Sequence, residues 1–288
     1  MNELKVTDVR KEKGDSAFLL DDGETAILYD SGFGFTGFEI AQNIKNALGE
    51  RKLDYIFLTH SHYDHALGSA YILRYFPDAK VVAGKYAAEV FKRDGAKRTM
   101  RELDRKFADK CGCGEYDFLG DELRVNIPCD DNDIIYAGKM QFQVLNLPGH
   151  TKCSVGFYCK EYELLLSTET LGVYDGESTI LPSCLVSYKM TIESIDRVQK
   201  LKIKKLLAPH YGILNEKQTE FFIANMKNST KKIIGEISEN IQAGLTDNEI
   251  FEKFKEKYWH GYIKEIYPID AMKLNTEIMI NLIKKELL

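Results

Sequence analysis

The sequence predicts an α/β protein with a helical C-terminal region. Its first part alternates short apolar strands with amphipathic helices, a middle part returns to strands, and residues 216–288 carry helical periodicity. The 288 residues, 44% of them hydrophobic and 29% charged, are enough to bury a large core. We therefore expect an α/β body that is followed by helices.

The chain begins with a predicted hairpin. Residues 16–20 and 24–29, which are rich in apolar side chains, flank Asp21-Asp22-Gly23, and an Asp-Gly pair suits a tight turn between antiparallel strands. The second strand ends at Asp30. A helix is predicted next, because apolar side chains recur at helical spacing at Phe38, Ala41, Ile44 and Leu48.

Strands and helices continue to alternate up to residue 110. Tyr55–Leu58 is predicted to be a strand that ends at Thr59-His60, and residues 65–76 to be the next helix. Lys80–Ala83 is predicted to be another short buried strand. A helical stretch follows over residues 86–110, with an interruption near Gly95, because glycine weakens a helix.

The second half of the chain changes from strands to helices. Residues 123–166 return to strands, and residues 204–207 predict one more. After Glu216 the pattern is helical, with a capping box at Thr246-Asp247-Asn248-Glu249 and a terminal helix over residues 270–288. One helical face carries Phe222, Met226, Ile233 and Ile237. The sequence therefore predicts a boundary near residue 215.

Composition excludes several classes of protein. The net charge is −5 and the basic residues are dispersed, so we expect no nucleic-acid partner. No apolar run is long enough to cross a bilayer, and the charged N-terminus lacks the apolar core of a signal peptide, so a cytoplasmic protein is expected. The six cysteines are then reduced thiols, with Cys111 and Cys113 as a surface pair.

Candidate metal ligands are concentrated in the segment from Thr59 to Gly68. Three of the six histidines fall there with an aspartate, although a single histidine is more often a core or surface residue. Residues two apart in extended backbone point the same way, so His60 and His62 can bind one cation. Asp64 and His65, at the start of a helix, would turn toward a neighbouring position. Imidazole with carboxylate suits zinc, iron or manganese.

Two further histidines occupy similar positions. His150 follows a strand and Pro-Gly, and His210 follows a strand and Ala-Pro. A proline forces an extended approach and a sharp turn, which can direct the next side chain into a shared site. His260 lies in the helical region beside Trp259 without such a context, and we interpret it as structural.

This order of motifs resembles the metallo-β-lactamase fold superfamily. His-x-His-x-Asp-His, then Pro-Gly-His150-Thr, then an acidic residue after an apolar strand, then Pro-His210, match between Asp30 and His210. The resemblance implies a four-layer αββα fold. It also implies a catalytic domain over residues 1–215, and a helical extension over residues 216–288 that covers the active site.

The resemblance further implies two divalent metal ions, zinc or else iron or manganese. His60, His62 and His150 would hold the first ion, and Asp64, His65 and His210 the second. A carboxylate that bridges both ions is expected after the strand at residues 163–166. Family members usually have aspartate there, whereas this chain has Glu169, whose extra methylene moves its oxygens. Asp30 would hydrogen-bond the loop that carries the ligands.

The implied reaction is attack of a metal-bridging hydroxide on an ester or thioester, or on a phosphodiester. Asp64 would both bind metal and orient the nucleophile, and Tyr211 would donate a hydrogen bond to the substrate. The layout is similar to the quinolone-signal response subgroup, whose members act as thioesterases on acyl-CoA-like compounds. The expected partner is a small-molecule substrate, and a homodimer is left open.

Two alternatives remain at this stage. One is a di-iron redox enzyme that resembles oxygen or nitric-oxide reductases, although those relatives typically have glutamate at the position of His62 and carry a flavodoxin domain. The other is a regulatory or binding protein whose metal site is mainly structural, because Glu169 could weaken the bridge between the ions.

Overall fold

The computed structural model describes residues 3–288, so that Met1 and Asn2 of the charged N-terminus lie outside the described residues. The chain folds into two units. The first spans residues up to Asn146 together with Val155–Glu161, and the second spans Leu147–Ser154 and Tyr162–Leu288. Each unit contains both strands and helices, which confirms the predicted α/β class.

The first unit contains a sheet whose central strands are buried. In the order β1-β2-β3-β4-β5-β6, the first three strands pair antiparallel and the last four pair parallel. Strands β7, β8 and β9 form a separate antiparallel set. The strands are β1 (Lys5–Asp8), β2 (Phe18–Asp21), β3 (Ala26–Tyr29), β4 (Tyr55–Leu58), β5 (Lys80–Gly84), β6 (Ile127–Cys129), β7 (Ile134–Ala137), β8 (Met140–Asn146) and β9 (Val155–Cys159).

The helices of the first unit lie between its strands along the chain. They are α1 (Gly37–Leu48), α2 (Tyr63–Ala66), α3 (Gly68–Tyr75), α4 (Lys85–Val90) and α5 (Asp94–Lys110). The predicted hairpin and the predicted strand Tyr55–Leu58 are both present. Since β3 and β4 are parallel neighbours, with Tyr29 beside Phe57, the residues that follow them lie at the same edge of the sheet.

The second unit also contains a pair of parallel strands. β10 pairs parallel with β13, β13 pairs antiparallel with β14, and β11 pairs with β12. The strands are β10 (Leu164–Leu166), β11 (Val173–Tyr174), β12 (Ile180–Leu181), β13 (Lys205–Ala208) and β14 (Gly212–Leu214). The helices are α6 (Tyr188–Val198), α7 (Glu216–Gln242), α8 (Asp247–Tyr258), α9 (Gly261–Ile266) and α10 (Ile269–Glu286).

Helix starts in the second unit agree with the sequence analysis. The change of pattern predicted near residue 215 coincides with the start of α7, where Asn215 and Gln218 form a capping box. The predicted capping box of Thr246 and Glu249 opens α8. The predicted apolar face of α7 is buried, and its residues Ile233 and Ile237 belong to a core that also includes Phe254, Ile280 and Ile283. Apolar burial therefore holds α7, α8 and α10 together.

Two predicted helical features differ in detail. Phe38 is 43% exposed, and Ile40 is the buried residue of that turn of α1. The helix predicted over residues 65–76 starts at Tyr63 and is divided between α2 and α3 at Leu67. The division arises because the amide of Gly68 donates to the carbonyl of Gly32 at 3.1 Å rather than to an oxygen of its own helix. The sequence alone gives no sign of this tertiary hydrogen bond.

None of the helices in residues 3–288 has the length and apolarity that crossing a bilayer requires. The six cysteines are free, as predicted. Cys111 is exposed, whereas Cys113, which was predicted to form a surface pair with it, is half-buried.

The contact at Gly68 leads to a stability prediction. A β-carbon at this position would lie 1.8 Å from the carbonyl oxygen of Ser31, which is backbone and cannot move aside. Gly68→Ala should therefore lower the free energy of unfolding by on the order of 3 kcal/mol. The matched control is Gly235→Ala in α7, where nothing lies within 4 Å and alanine should stabilise the helix by up to about 1 kcal/mol. Urea unfolding measures both, and equal effects would contradict the prediction.

Candidate metal centre

The first unit brings four of the predicted ligands together. His60 and His62 follow β4, and Asp64 and His65 lie in α2. The ring centroid of His60 lies 4.6 Å from that of His62 and 4.0 Å from that of His65. His65 Nε2 lies 3.8 Å from a carboxylate oxygen of Asp64. Within this unit, the sequence motif therefore becomes a compact cluster of donor atoms.

Asp30 forms the hydrogen bonds that hold this cluster in place. Its carboxylate is fully buried and accepts hydrogen bonds from the amide of Thr59 at 2.8 Å and from the hydroxyl of Ser16 at 2.9 Å. Oδ2 of Asp30 also lies 2.7 Å from Nδ1 of His65. The prediction that Asp30 hydrogen-bonds the ligand loop is confirmed. The parallel pairing of β3 with β4 explains it, because Asp30 and Thr59 follow the ends of those strands.

The hydrogen bonds of the cluster determine which ring nitrogens carry protons. Nδ1 of His65 faces a carboxylate and therefore donates. The hydroxyl of Thr59 lies 3.0 Å from both Asp30 Oδ1 and His60 Nδ1. It donates to the carboxylate and therefore accepts from His60 Nδ1. In both rings the lone pair is then on Nε2, which is the arrangement that a metal ligand requires.

The second unit brings together the other three predicted ligands. His150 Nε2 lies 2.9 Å from Oε2 of Glu169, and His210 Nε2 lies 3.8 Å from Oε1 of the same carboxylate. Glu169 follows β10 and His210 follows β13, so the parallel pairing of these strands places them at one edge. All three side chains are buried. The glutamate therefore faces His150 and His210, one with each oxygen.

His150 has its proton placed in the same way as the histidines of the first unit. Its Nδ1 lies 3.0 Å from the carbonyl oxygen of Ser183, which can only accept, and 2.8 Å from the hydroxyl of that serine. Nδ1 therefore donates, and Nε2 faces Oε2 of Glu169 at a distance that requires a proton or a cation between the two atoms. The backbone of Gly149 makes this loop possible, because its φ is +146° and a β-carbon there would lie 2.3 Å from the hydroxyl of Thr191.

Two of the site residues have unusual backbone conformations. Asp30 has φ +52° and His210 has φ +62°, although non-glycine residues rarely adopt positive φ. His210 lies in the short loop between β13 and β14, where Ala208 pairs with Gly212. Such strain costs on the order of 1 kcal/mol and is concentrated at functional sites.

The donor atoms fit a divalent cation. Ligands bound tetrahedrally at 2.0–2.1 Å lie about 3.3 Å from one another. The separations of 2.9 and 3.8 Å between Glu169 and its two histidines lie on either side of that value. Imidazole nitrogens with carboxylate oxygens are a donor set for zinc, iron or manganese.

Other predicted residues have contacts of a different kind. The hydroxyl of Tyr211 accepts a hydrogen bond from Gln218 Nε2 at 2.9 Å, and its ring packs edge-on against Tyr174 and Tyr262. His260 is exposed and its Nε2 lies 3.0 Å from the carbonyl of Lys257, consistent with the structural role predicted for it.

Several supporting residues were not identified from the sequence. Thr59 precedes the motif directly, and its position could have suggested its role. Ser183 and Ser16 carry no such signal, because they reach His150 and Asp30 only through folding. The same holds for Tyr262, whose hydroxyl donates to the carbonyl of His210, and for Tyr267, which approaches Glu169.

The family of the chain follows from its similarity to known proteins. A family model described as "Metallo-beta-lactamase superfamily" matches residues 12–210. The chain belongs to this superfamily. The predicted fold, an α/β metallo-β-lactamase fold with C-terminal helices, is thereby confirmed.

Three curated relatives are similar to parts of the chain. The metallo-beta-lactamase fold-containing protein ST1585 of Sulfurisphaera tokodaii is 24% identical over 70% of this chain and 75% of its own length. The probable hydroxyacylglutathione hydrolase glo2 of Schizosaccharomyces pombe is 29% identical over 49% of this chain and 39% of its own. The acyl-coenzyme A thioesterase MBLAC2 of Gallus gallus is 25% identical over 54% and 55%.

A solved structure of ST1585 from Sulfolobus tokodaii shares the fold. Its TM-score is 0.59 at 20% identity, over 81% of this chain and 87% of that one. The matches to glo2 and MBLAC2 span about half or less of those proteins, so the comparisons show the family and the fold.

An aromatic cluster of the first unit packs beside the ligand motif. Phe33 lies 5.6 Å from Tyr63 and 4.6 Å from Phe107 between ring centroids. In the same region Asp104 of α5 is fully buried and accepts from the amide of Gly34 and the hydroxyl of Tyr116. Burial raises the pKa of Asp104 to about 6. The helix α5 thus carries a buried acid against the loop that precedes α1.

Asp104 predicts a pH dependence of stability. Between about pH 4 and pH 6 the folded protein holds a proton on this carboxyl that the unfolded chain has released. The contribution of Asp104 therefore becomes less favourable as pH rises through that window, by on the order of 2 kcal/mol. Asp104→Asn should be less stable relative to wild type at pH 4 than at pH 7. Urea unfolding across this range measures the difference, and a pH-independent difference would contradict the prediction.

The role of Asp30 predicts an effect on metal affinity. Asp30→Asn replaces the carboxylate that accepts from His65 Nδ1 with a neutral amide of the same shape. The amide forms a weaker hydrogen bond and holds the imidazole ring less firmly. Zinc affinity should fall about 10–100-fold, measured by competition with a chromophoric chelator. Asp54→Asn is the control, since Asp54 accepts from the amide of Ala26 in the same sheet. Unchanged affinity in Asp30→Asn would refute the role assigned to this residue.

Proposed function

We propose that the protein is a metal-dependent hydrolase of esters or thioesters that uses two divalent ions. The observation that carries this proposal is the placement of protons on Nδ1 of three histidines, which leaves Nε2 of His60 and of His65 for a cation and directs Nε2 of His150 to the carboxylate of Glu169. The proposed ligands are His60, His62 and His150 for one ion, Asp64, His65 and His210 for the other, and Glu169 for both.

The chain's own residues have distinct tasks in this proposal. When bound, such cations lower the pKa of water and polarise a carbonyl oxygen. Asp30 and Thr59 keep His60 and His65 in one tautomer, so that no proton competes for Nε2. Asp64 is less buried than His65 and presents a carboxylate that can orient the nucleophile and accept its proton. Tyr211 is proposed to donate a hydrogen bond to the substrate once its hydroxyl turns from Gln218.

Two relatives support the substrate class. Glo2 and MBLAC2 are named as hydrolases of acyl derivatives of two thiols, glutathione and coenzyme A. An acyl thioester is therefore the first substrate class to test, with oxygen esters and phosphodiesters as comparisons. Zinc is the first metal to test, followed by iron and manganese.

The test combines metal analysis with a substrate panel. Purified protein should contain two metal equivalents and hydrolyse at least one acyl thioester, and removal of metal by a chelator should abolish turnover. His62→Ala should lower turnover by at least about 100-fold, because it removes a proposed ligand. The matched control is His260→Ala, which removes an exposed histidine whose ring contacts the carbonyl of Lys257.

The same experiment can reject the proposal. A metal-loaded protein that hydrolyses nothing in the panel would favour a regulatory or binding role. Bound iron with consumption of oxygen would favour the redox alternative. Equal losses in His62→Ala and His260→Ala would indicate that the motif does not act as a metal site.

A further inference from the structure

Tyr267 connects the C-terminal helices to a proposed metal ligand. It lies between α9 and α10, directly before Pro268. Its hydroxyl lies 3.4 Å from Oε1 of Glu169 and accepts a hydrogen bond from Asn275 Nδ2 at 3.0 Å. Glu169 and Tyr267 are 98 residues apart in the sequence. A residue of the helical region therefore faces the carboxylate on which His150 and His210 converge.

The backbone of Tyr267 is also held. Its carbonyl accepts from the indole nitrogen of Trp259 at 2.8 Å, and its amide donates to the carbonyl of Ile263 at 2.9 Å. The ring lines a small apolar cavity with Phe254, Met272 and Met279. These contacts fix both ends of the side chain, so that the hydroxyl has a defined position in the unit.

The donor direction of the hydroxyl follows from its partner. Asn275 presents an amide NH₂ group, which only donates, so the tyrosine oxygen accepts there and its hydrogen points elsewhere. Oε1 of Glu169 is an acceptor in that direction. The distance of 3.4 Å is long for such a bond, and hydrogen bonds at active sites commonly shorten when the site is filled.

The length of the Glu169 side chain explains why its contact with Tyr267 matters. A glutamate has one more rotatable bond than an aspartate, so its carboxylate needs an additional restraint to stay in one position. Oε2 lies against His150, whereas Oε1 lies 3.8 Å from His210. Oε1 is thus the oxygen that the histidines hold less closely, and it is the one that Tyr267 approaches.

We infer that Tyr267 is a positioning residue, which holds Oε1 of Glu169 for metal binding and is itself held by Asn275. This inference rests on the proposed function, because it assigns the tyrosine to the same metal site. It makes the helical region a functional part of the centre. Metal affinity, rather than the stability of the fold, is the property that it controls.

The test is a double-mutant cycle read out by zinc affinity. Tyr267→Phe removes the hydroxyl and keeps the ring, and should weaken zinc binding about 10-fold or more in competition with a chromophoric chelator. In a Glu169→Asp background the shorter carboxylate no longer reaches the hydroxyl. Tyr267→Phe should then have less than about a twofold effect, so that the two substitutions are not additive.

The control is Tyr258→Phe. It removes another partly buried hydroxyl of the same helical region, one that donates to Glu236 at 2.6 Å, and it should leave zinc affinity within about twofold. The visible spectrum of the cobalt-loaded protein gives a second readout, because a displaced carboxylate changes the ligand field in Tyr267→Phe but not in Tyr258→Phe. If Tyr267→Phe does not fold, Asn275→Leu keeps the tyrosine and should also weaken zinc binding.

The outcomes separate this inference from the proposed function. Zinc affinity that is unchanged in Tyr267→Phe, or that falls equally in both backgrounds, would overturn the positioning role. A wild-type protein that binds no zinc or cobalt would overturn it as well. A protein that binds zinc, shows the non-additive effect and hydrolyses nothing in the panel would support the positioning role and overturn only the hydrolase.

Discussion

The arrangement of the first half of the site depends on one buried carboxylate. Asp30 lies at the end of β3 with no exposed surface, in a backbone conformation that non-glycine residues rarely adopt. A buried charge of this kind is tolerated only when donors surround it, and here these come from Ser16, Thr59 and His65. The same hydrogen bonds fix the protonation of the histidines. The conformation of the ligand loop and the tautomers of its histidines therefore depend on this carboxylate, which the pairing of β3 with β4 brings beside Thr59.

Local chemistry explains what could be predicted from the sequence. The strand Tyr55–Leu58 and the capping box of Thr246 and Glu249 depend on neighbouring residues, and both appear where the pattern places them. The motif from His60 to His65 is also local, so its clustering in the first unit follows from the change of a strand into a helix. The family was predictable for the same reason, because its motifs follow one another in a recognisable order along the sequence.

Tertiary contacts explain what could not be predicted. The exposure of Phe38 and the division of the helix at Leu67 result from packing against distant segments, which periodicity does not report. Ser183 lies 33 residues from His150 and has no distinguishing neighbours, yet its carbonyl oxygen accepts from Nδ1 of that histidine. The glutamate at position 169 was recognised as a departure from the family pattern. Its contact with Tyr267 needed the folded structure, because nothing near either residue indicates the other.

Two tyrosines of the C-terminal helices contact ligands of the second unit, since Tyr262 donates to the carbonyl of His210 and Tyr267 approaches Glu169. Thermodynamic linkage gives this a consequence for local unfolding. An ion that binds these ligands only when α9 is folded in place must also make the unfolding of α9 less favourable. Amide hydrogen exchange in this short helix would then report metal occupancy, at a position in the chain far from the histidine motif.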